Sequence, residues 1–90
     1  MQQAILIDYV QSQDMNKAAY IGRALCDVTI GDQFYILDED NNVVGEVAVV
    51  GLDMYFQPTE VVWKGYGGLF TFEGDIHLFV DCHYMSIHHK

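Results

Sequence analysis

Ninety residues with 51% hydrophobic side chains predict one small domain, and this apolar content argues against intrinsic disorder because it suffices for a core. Four Lys and Arg residues against 13 Asp and Glu residues give a formal net charge of −9 at pH 7. Such a chain repels nucleic-acid phosphates and anionic membrane surfaces, whereas its field attracts cationic proteins. We therefore expect a basic protein partner and neither direct nucleic-acid binding nor membrane binding.

The first residues and the cysteines predict where the protein works. The N-terminal sequence MQQAILIDYV has no basic segment and only a short apolar run, which is not typical of a secretory signal. No stretch approaches the ~18 to 20 apolar residues of a membrane helix. Cys26 and Cys82 form no local CxxC pair and are too few for a disulfide scaffold. We expect a cytoplasmic protein with reduced thiols, and a single bridge between the two cysteines stays open.

Short β-branched and aromatic runs, separated by turn residues, fill most of the chain. Residues 11–19 lack an apolar stripe at helical spacing and predict at most one helical turn or a loop. Seven short strands at this spacing are typical of an antiparallel barrel. We expect an all-β fold, a small six- to seven-stranded antiparallel β-barrel over residues 1–90, with a frayed polar tail at about 86–90. The predicted strands are Ala4–Val10, Ala18–Val28, Gln33–Leu37, Val43–Leu52, Glu60–Trp63, Gly67–Glu73 and Ile76–Tyr84.

Two of these strands have informative face patterns. The strand Val43–Leu52 is apolar on both faces, so it is either buried on both or exposes an apolar strip to a partner. Alternation along the last strand predicts one inward and one outward set of side chains. The inward set is Ile76, Leu78, Val80, Cys82 and Tyr84, and the outward set is His77, Phe79, Asp81 and His83.

Several motifs follow one another in a familiar order. Ile21-Gly22-Arg23-Ala24 precedes the apolar-x-Gly-Asp turn Val28-Thr29-Ile30-Gly31-Asp32, and a strand beginning at Gln33 follows directly. Farther along come Gly45-Glu46-Val47-Ala48-Val49-Val50, then Glu60, then the Gly-rich run from Lys64 to Gly74. Over about Ala4 to Asp75 this arrangement resembles domain 2, a β-barrel, of translational GTPases such as elongation factor Tu.

The resemblance implies a barrel scaffold and little about activity. In translational GTPases the domain helps to hold the acceptor end of tRNA and packs against a GTPase neighbour. The present chain has no Gly-x-x-x-x-Gly-Lys-Ser/Thr motif, so it contains no GTPase domain of its own. No position matches a tRNA-contacting residue of the family, and a shared scaffold does not fix function.

The sequence contains only weak signals for chemistry. His77, Asp81 and His83 share one predicted strand face and could offer metal ligands, yet no second segment completes a tetrahedral site. Cys82 and His83 are consecutive strand residues that point to opposite faces, which disfavours a nucleophilic pair. Carboxylates at predicted strand ends read as solvated surface more readily than as an acid–base pair. We therefore expect no enzyme, no metal site and no cofactor.

The aromatic residues are more informative, with six Tyr, five Phe and one Trp in 90 residues. Phe34, Ile36, Phe70 and Phe72 alternate in predicted strands and are expected in the core. Other aromatic residues fall in predicted loops beside carboxylates, where they either cap the barrel or form a binding surface with an acidic rim. The candidate partner-binding residues are Asp53, Tyr55, Phe56, Glu60, Trp63, Tyr66 and Asp75.

Together these features predict a non-catalytic acidic protein-binding module. Its most concrete form is an immunity or inhibitor protein that neutralises a basic partner such as a nuclease toxin. One alternative is a translation-factor-like accessory domain that docks on a ribosomal or GTPase partner through the Val43–Leu52 strand. Another is a metal-binding sensor or enzyme that uses the C-terminal His and Asp residues. The two-faced strand and the Gly-rich turn also leave room for a homodimer through an edge strand.

Overall fold

The computed structural model describes residues 2–79 and 86–90, without the side chains of residues 78 and 79. Within these ranges the chain forms nine β-strands and a short 3₁₀ helix over Ile76–Phe79. None of the described helices is long and apolar enough to cross a membrane. The strands are β1 (Gln3–Gln13), β2 (Lys17–Ala24), β3 (Val28–Thr29), β4 (Gln33–Leu37), β5 (Val43–Met54), β6 (Gln57–Pro58), β7 (Val61–Val62), β8 (Gly67–Gly74) and β9 (Ser86–His89).

Six strands close into an antiparallel barrel in the order β4-β9-β1-β2-β8-β5, and pairing of β4 with β5 completes the ring. Strand β6 folds back on the end of β5, while β3 and β7 form a separate two-stranded sheet. The predicted all-β barrel is confirmed. Closure pairs each of the six barrel strands on both sides over at least part of its length, which removes much of the free edge that a strand-mediated homodimer would need.

The barrel interior is filled by side chains that alternate along each strand. Phe34, Ile36, Phe70 and Phe72 are fully buried, which confirms their predicted place in the core. Phe72 packs against Phe70 at a ring-centroid distance of 6.4 Å and against Tyr20 at 5.9 Å. An interior filled by rings is typical of small barrels, because their lumen is only wide enough for side chains.

A β-bulge explains why strand β5 carries apolar residues on both faces. Its register against β8 shifts between Val49 and Gly51, so the inward parity changes within the strand. Val47, Val49 and Leu52 are therefore buried. The exposed apolar residues of this strand are Val43, Val44 and Val50.

The predicted strand Ile76–Tyr84 is wrong over its first four residues, which form the 3₁₀ helix. Gly74 has a φ of 127° that favours glycine, and the Asp75 amide and carboxylate both bond to the Glu46 backbone. This junction turns the chain away from the sheet. Ile76 is buried and His77 is exposed, as predicted, but a 3₁₀ helix and not strand alternation places them. The side chains of Leu78 and Phe79, and residues Val80, Asp81, Cys82, His83 and Tyr84, lie outside the described residues.

The predicted frayed tail at 86–90 is also wrong, because Ser86–His89 forms β9 between β4 and β1. Ile87 is fully buried and pairs with both Ile5 and Ile36. The segment is mostly polar, so its sequence did not indicate that its one apolar side chain, Ile87, lies in the core. Residues 11–13 and 17–19 likewise belong to the β1–β2 hairpin rather than to a helical turn.

Candidate functional site

The most exposed aromatic side chains lie in the turn between β5 and β6. Asp53 pairs with Pro58 and Met54 with Gln57, which leaves a two-residue loop, Tyr55 and Phe56. Both loop residues have positive φ, 53° and 65°, as in the two-residue hairpin turns that normally contain Asn and Gly. Tyr55 is 81% exposed and Phe56 is fully exposed. Two bulky residues therefore occupy a strained backbone while their side chains remain largely exposed.

A second aromatic turn, Trp63 to Tyr66, lies at the same end of the barrel. Its backbone is fixed to the end of β2, since the Gly65 amide donates to the Ala24 carbonyl at 2.8 Å and the Ala24 amide donates to the Tyr66 carbonyl at 2.9 Å. The Lys64 amide donates to an Asp27 carboxylate oxygen at 2.8 Å. Trp63 and Tyr66 remain about half exposed, so a well-fixed turn presents two large amphipathic side chains to solvent.

Beside the β5–β6 turn, a groove of about 610 Å³ crosses the outer face of β1, β2, β8 and β5. Cross-strand pairing aligns a row of outward residues beneath it: Tyr9 pairs with Ile21, Ile21 with Leu69, and Leu69 with Asp53. Gly67 and Gly68 lower its floor where β8 begins. The volume falls within the ~300 to 1,000 Å³ common for ligand sites, and the row supplies an apolar base with a carboxylate at one end.

Charged side chains line the rim of this groove. Asp8 lies beside Tyr9, where β1 is bulged against β2, and Arg23 lies on β2. In the described part of the chain, the Arg23 side chain has neither a hydrogen bond nor an ion pair, and the salt bridge between Lys90 and Glu46 is elsewhere. The groove therefore offers carboxylates at both sides and one free guanidinium between them.

The structure brings together most of the predicted partner-binding residues. Asp53, Tyr55 and Phe56 line the groove, and Trp63 and Tyr66 occupy the second turn at the same barrel end. Glu60 is exposed beside β7, and its carbonyl accepts from the Ile30 amide at 3.2 Å.

Asp75 is not part of this group. Its carboxylate accepts from the Glu46 amide at 2.9 Å, next to the Val47–Gly74 pair of β5 and β8. Asp53 lies six residues farther along β5, about 20 Å away at the usual strand rise. The role of Asp75 in the described structure is to fix the junction after β8.

Sequence reasoning missed the groove floor. Tyr9, Ile21, Leu69 and Arg23 come from three strands, and only the strand register places them side by side. Alternation marks Tyr9 as outward once Ile5 is inward and the bulge after Ile7 is known. The adjacent Gly67 and Gly68 were the available signal, because paired glycines in a strand mark a site of close approach.

The ionisable residues outside the groove offer little chemistry. No cluster of three or more His, Cys, Asp or Glu side chains suited to a metal occurs within residues 2–79 and 86–90. Cys26 Sγ lies 2.8 Å from His89 Nε2, and Cys26 is free of disulfide bonding. Burial, then the Asp32 and Asp27 charges, raise the pKa of the Cys26 thiol, and Lys64 opposes them. An activated nucleophile needs the opposite shift.

The raised Cys26 pKa predicts slow alkylation. In a Cys82→Ser background, where Cys26 is the one remaining thiol, we expect iodoacetamide to react with Cys26 more slowly at pH 8 than it reacts with free cysteine. Lys64→Met should slow it further, because the cation that favours the thiolate is lost.

The raised pKa of Cys26 also makes the free energy of unfolding depend on pH. Because the folded protein holds the thiol proton more tightly than the unfolded chain, the protonated thiol contributes to stability at neutral pH, and this contribution is lost as pH rises through the folded pKa. Urea unfolding between pH 7 and 10, compared with the Cys26→Ser variant, measures this loss of stability.

In the alkylation experiment, faster reaction of Cys26 than of free cysteine would contradict the raised pKa.

No family model, curated protein or solved structure matches this chain. The resemblance to domain 2 of translational GTPases therefore stays a prediction that rests on its sequence motifs.

Proposed function

We propose that this protein is a non-catalytic acidic binding module whose partner is a basic protein. The observation that carries the proposal is the β5–β6 turn, where Tyr55 and Phe56 are displayed in left-handed backbone conformations. Backbone strain of this kind costs about 1–3 kcal/mol per residue, and the largely exposed aromatic rings recover little of it through burial in the free protein. Burial against a partner is the gain that would offset this cost.

Composition and charge support the class of partner. Tyr and Trp are enriched at the centres of protein interfaces, and Trp63 and Tyr66 extend the aromatic surface beside the turn. The net charge of −9 supplies long-range attraction to a cationic protein; Asp53 lines the groove beside the aromatic turn, and Glu60 is exposed beside β7. The concrete form that we propose is inhibition: the module covers the basic cleft of a nucleic-acid-acting enzyme, such as a nuclease toxin.

We expect the interaction to be strongly salt-dependent. The tagged protein is incubated with native cell extract at low and high salt, captured proteins are identified by mass spectrometry, and the most enriched basic protein is purified. Its association rate with the module should fall steeply as salt rises, because complementary charges chiefly accelerate encounter. The combined substitutions Asp53→Asn and Glu60→Gln should lower the association rate severalfold and leave the dissociation rate nearly unchanged.

A control that removes two carboxylate charges elsewhere keeps this test specific. Glu39→Gln together with Asp40→Asn changes the net charge by the same amount at two exposed residues of the β4–β5 loop, at the opposite end of β5. Association should then be close to that of the wild type. If the purified partner is a nuclease, one equivalent of the module should suppress its activity. The proposal would be overturned if the association rate did not depend on salt concentration. It would also be overturned if the Asp53→Asn, Glu60→Gln variant associated with the partner as fast as the wild type does.

A further inference from the structure

The groove contains an unfilled position over Gly67. Gly67 is exposed and has the outward parity of Leu69, two residues along β8. A β-carbon at this position would meet only the Gly22 carbonyl oxygen, at 3.4 Å, and the Gly67 φ lies outside the left-handed region. Neither backbone geometry nor close packing therefore requires glycine here, and its effect is to leave space in the groove.

Side chains suited to an aromatic ring stand on both sides of that space. Arg23 pairs directly with Gly67 on β2, and the Tyr55–Phe56 turn lies beyond β8 on the β5 side. Neighbouring strands are about 4.8 Å apart, so a ring over Gly67 would lie about 5 Å from the backbone of Arg23 on β2. Cation–π contacts act within about 6 Å of a ring centroid, and aromatic pairs prefer about 4.5–7 Å.

The carboxylates of the groove determine what should flank such a ring. Asp53 pairs with Leu69 at one end of the outward row, and Asp8 precedes Tyr9 at the other. The row spans three strand intervals, which separates the backbones of these two residues by about 14 Å across the groove. A ligand that crosses the groove therefore meets an aromatic-binding centre between two anionic ends.

We propose that the groove over Gly67 binds an aromatic side chain of the protein partner, flanked in the partner's chain by Lys or Arg residues that pair with Asp8 and Asp53. This inference rests on the proposed function, because it names the recognition element of the basic partner. The ring occupies the space that Gly67 leaves, between the Arg23 guanidinium and the rings of the β5–β6 turn. The flanking cations give the segment its charge complementarity.

A synthetic peptide, Gly-Lys-Phe-Lys-Gly, tests the recognition chemistry. Titration into the ¹⁵N-labelled protein should give saturable amide shifts at residues 21–23 and 67–69. Replacing the peptide Phe by Ala, or both of its Lys residues by Glu, should weaken binding at least tenfold. Equal binding of the Ala peptide would show that charge alone drives association, and it would overturn the aromatic site.

The variant Gly67→Leu fills the proposed space without straining the backbone, and its melting temperature should equal or exceed that of the wild type because strand glycines are entropically unfavourable. It should weaken the Phe peptide at least tenfold. The matched control is Val44→Leu, which adds bulk at an exposed position of β5 that does not line the groove. Unchanged binding by Gly67→Leu would place the peptide elsewhere and overturn the inference.

The protein partner separates this inference from the proposed function. A purified basic partner that binds wild type and Gly67→Leu equally would contradict the groove site and leave the binding function intact. Peptide binding that Gly67→Leu abolishes, combined with failure to find any salt-dependent basic protein partner, would support the site and contradict the proposed function.

Discussion

Removal of residues 86–90 is expected to abolish cooperative folding. Strand β9 closes the barrel by pairing with β1 and β4 on its two sides, and Ile87 is fully buried between Ile5 and Ile36. Its loss would expose two strand edges and remove a core side chain whose truncation to alanine alone costs about 2–5 kcal/mol. A 90-residue domain has a free energy of unfolding of about 5–13 kcal/mol. The stabilisation lost with the strand pairing and the Ile87 side chain together is therefore comparable to the total stability of the domain.

Urea unfolding followed by circular dichroism measures this effect. The graded variant Ile87→Ala should remain folded with a lower midpoint, which separates the packing contribution from strand pairing. Deleting Lys90 alone is the control, because its bridge to Glu46 at 2.8 Å is partly exposed and such pairs contribute about 1 kcal/mol or less. An unchanged unfolding midpoint after removal of residues 86–90 would show that β9 does not close the barrel.

The double substitution Tyr55→Asn with Phe56→Gly is expected to stabilise the free protein and weaken partner binding. Asn and Gly adopt left-handed conformations readily, so the hairpin strain of about 1–3 kcal/mol per residue should be largely relieved. The exposed rings make no core contact whose loss would offset this gain. The conformational freedom that glycine adds to the unfolded chain offsets part of this gain. We therefore expect the free energy of unfolding to rise by about 1–3 kcal/mol, while affinity for the basic partner falls at least tenfold.

Thermal unfolding and titration with the purified partner measure the two effects on the same sample. Val43→Asn with Val44→Gly changes two exposed apolar residues at the opposite end of β5 and serves as the control for surface hydrophobicity. It should leave partner affinity unchanged. A turn variant that loses stability would contradict the strain assigned to Tyr55 and Phe56. A turn variant that keeps full affinity would remove the aromatic turn from the interface.

The strands that could be predicted are those in which local pattern and burial agree. Gln33–Leu37 was predicted with its bounds, and β5 and β8 were predicted to within two residues at one end, because β-branched and aromatic side chains alternate there. The buried positions of Phe70 and Phe72 follow from the same alternation. Errors concentrated where pairing partners are distant, as at β9, whose Ser and His residues carry no local strand signal.

The sequence by itself determined the all-β class, the acidic charge and the placement of Tyr55, Phe56, Trp63 and Tyr66 in or beside turns, whereas their exposure became known only from the structure. The class, the charge and the turn placement follow from side-chain type and from turns that a few adjacent residues define. Only the tertiary structure decided that Tyr9, Ile21, Leu69 and Asp53 form one row, and that Asp75 is a backbone anchor far from it. Strand register and the β-bulges set these neighbours, and register depends on the packing of the whole barrel rather than on any single segment.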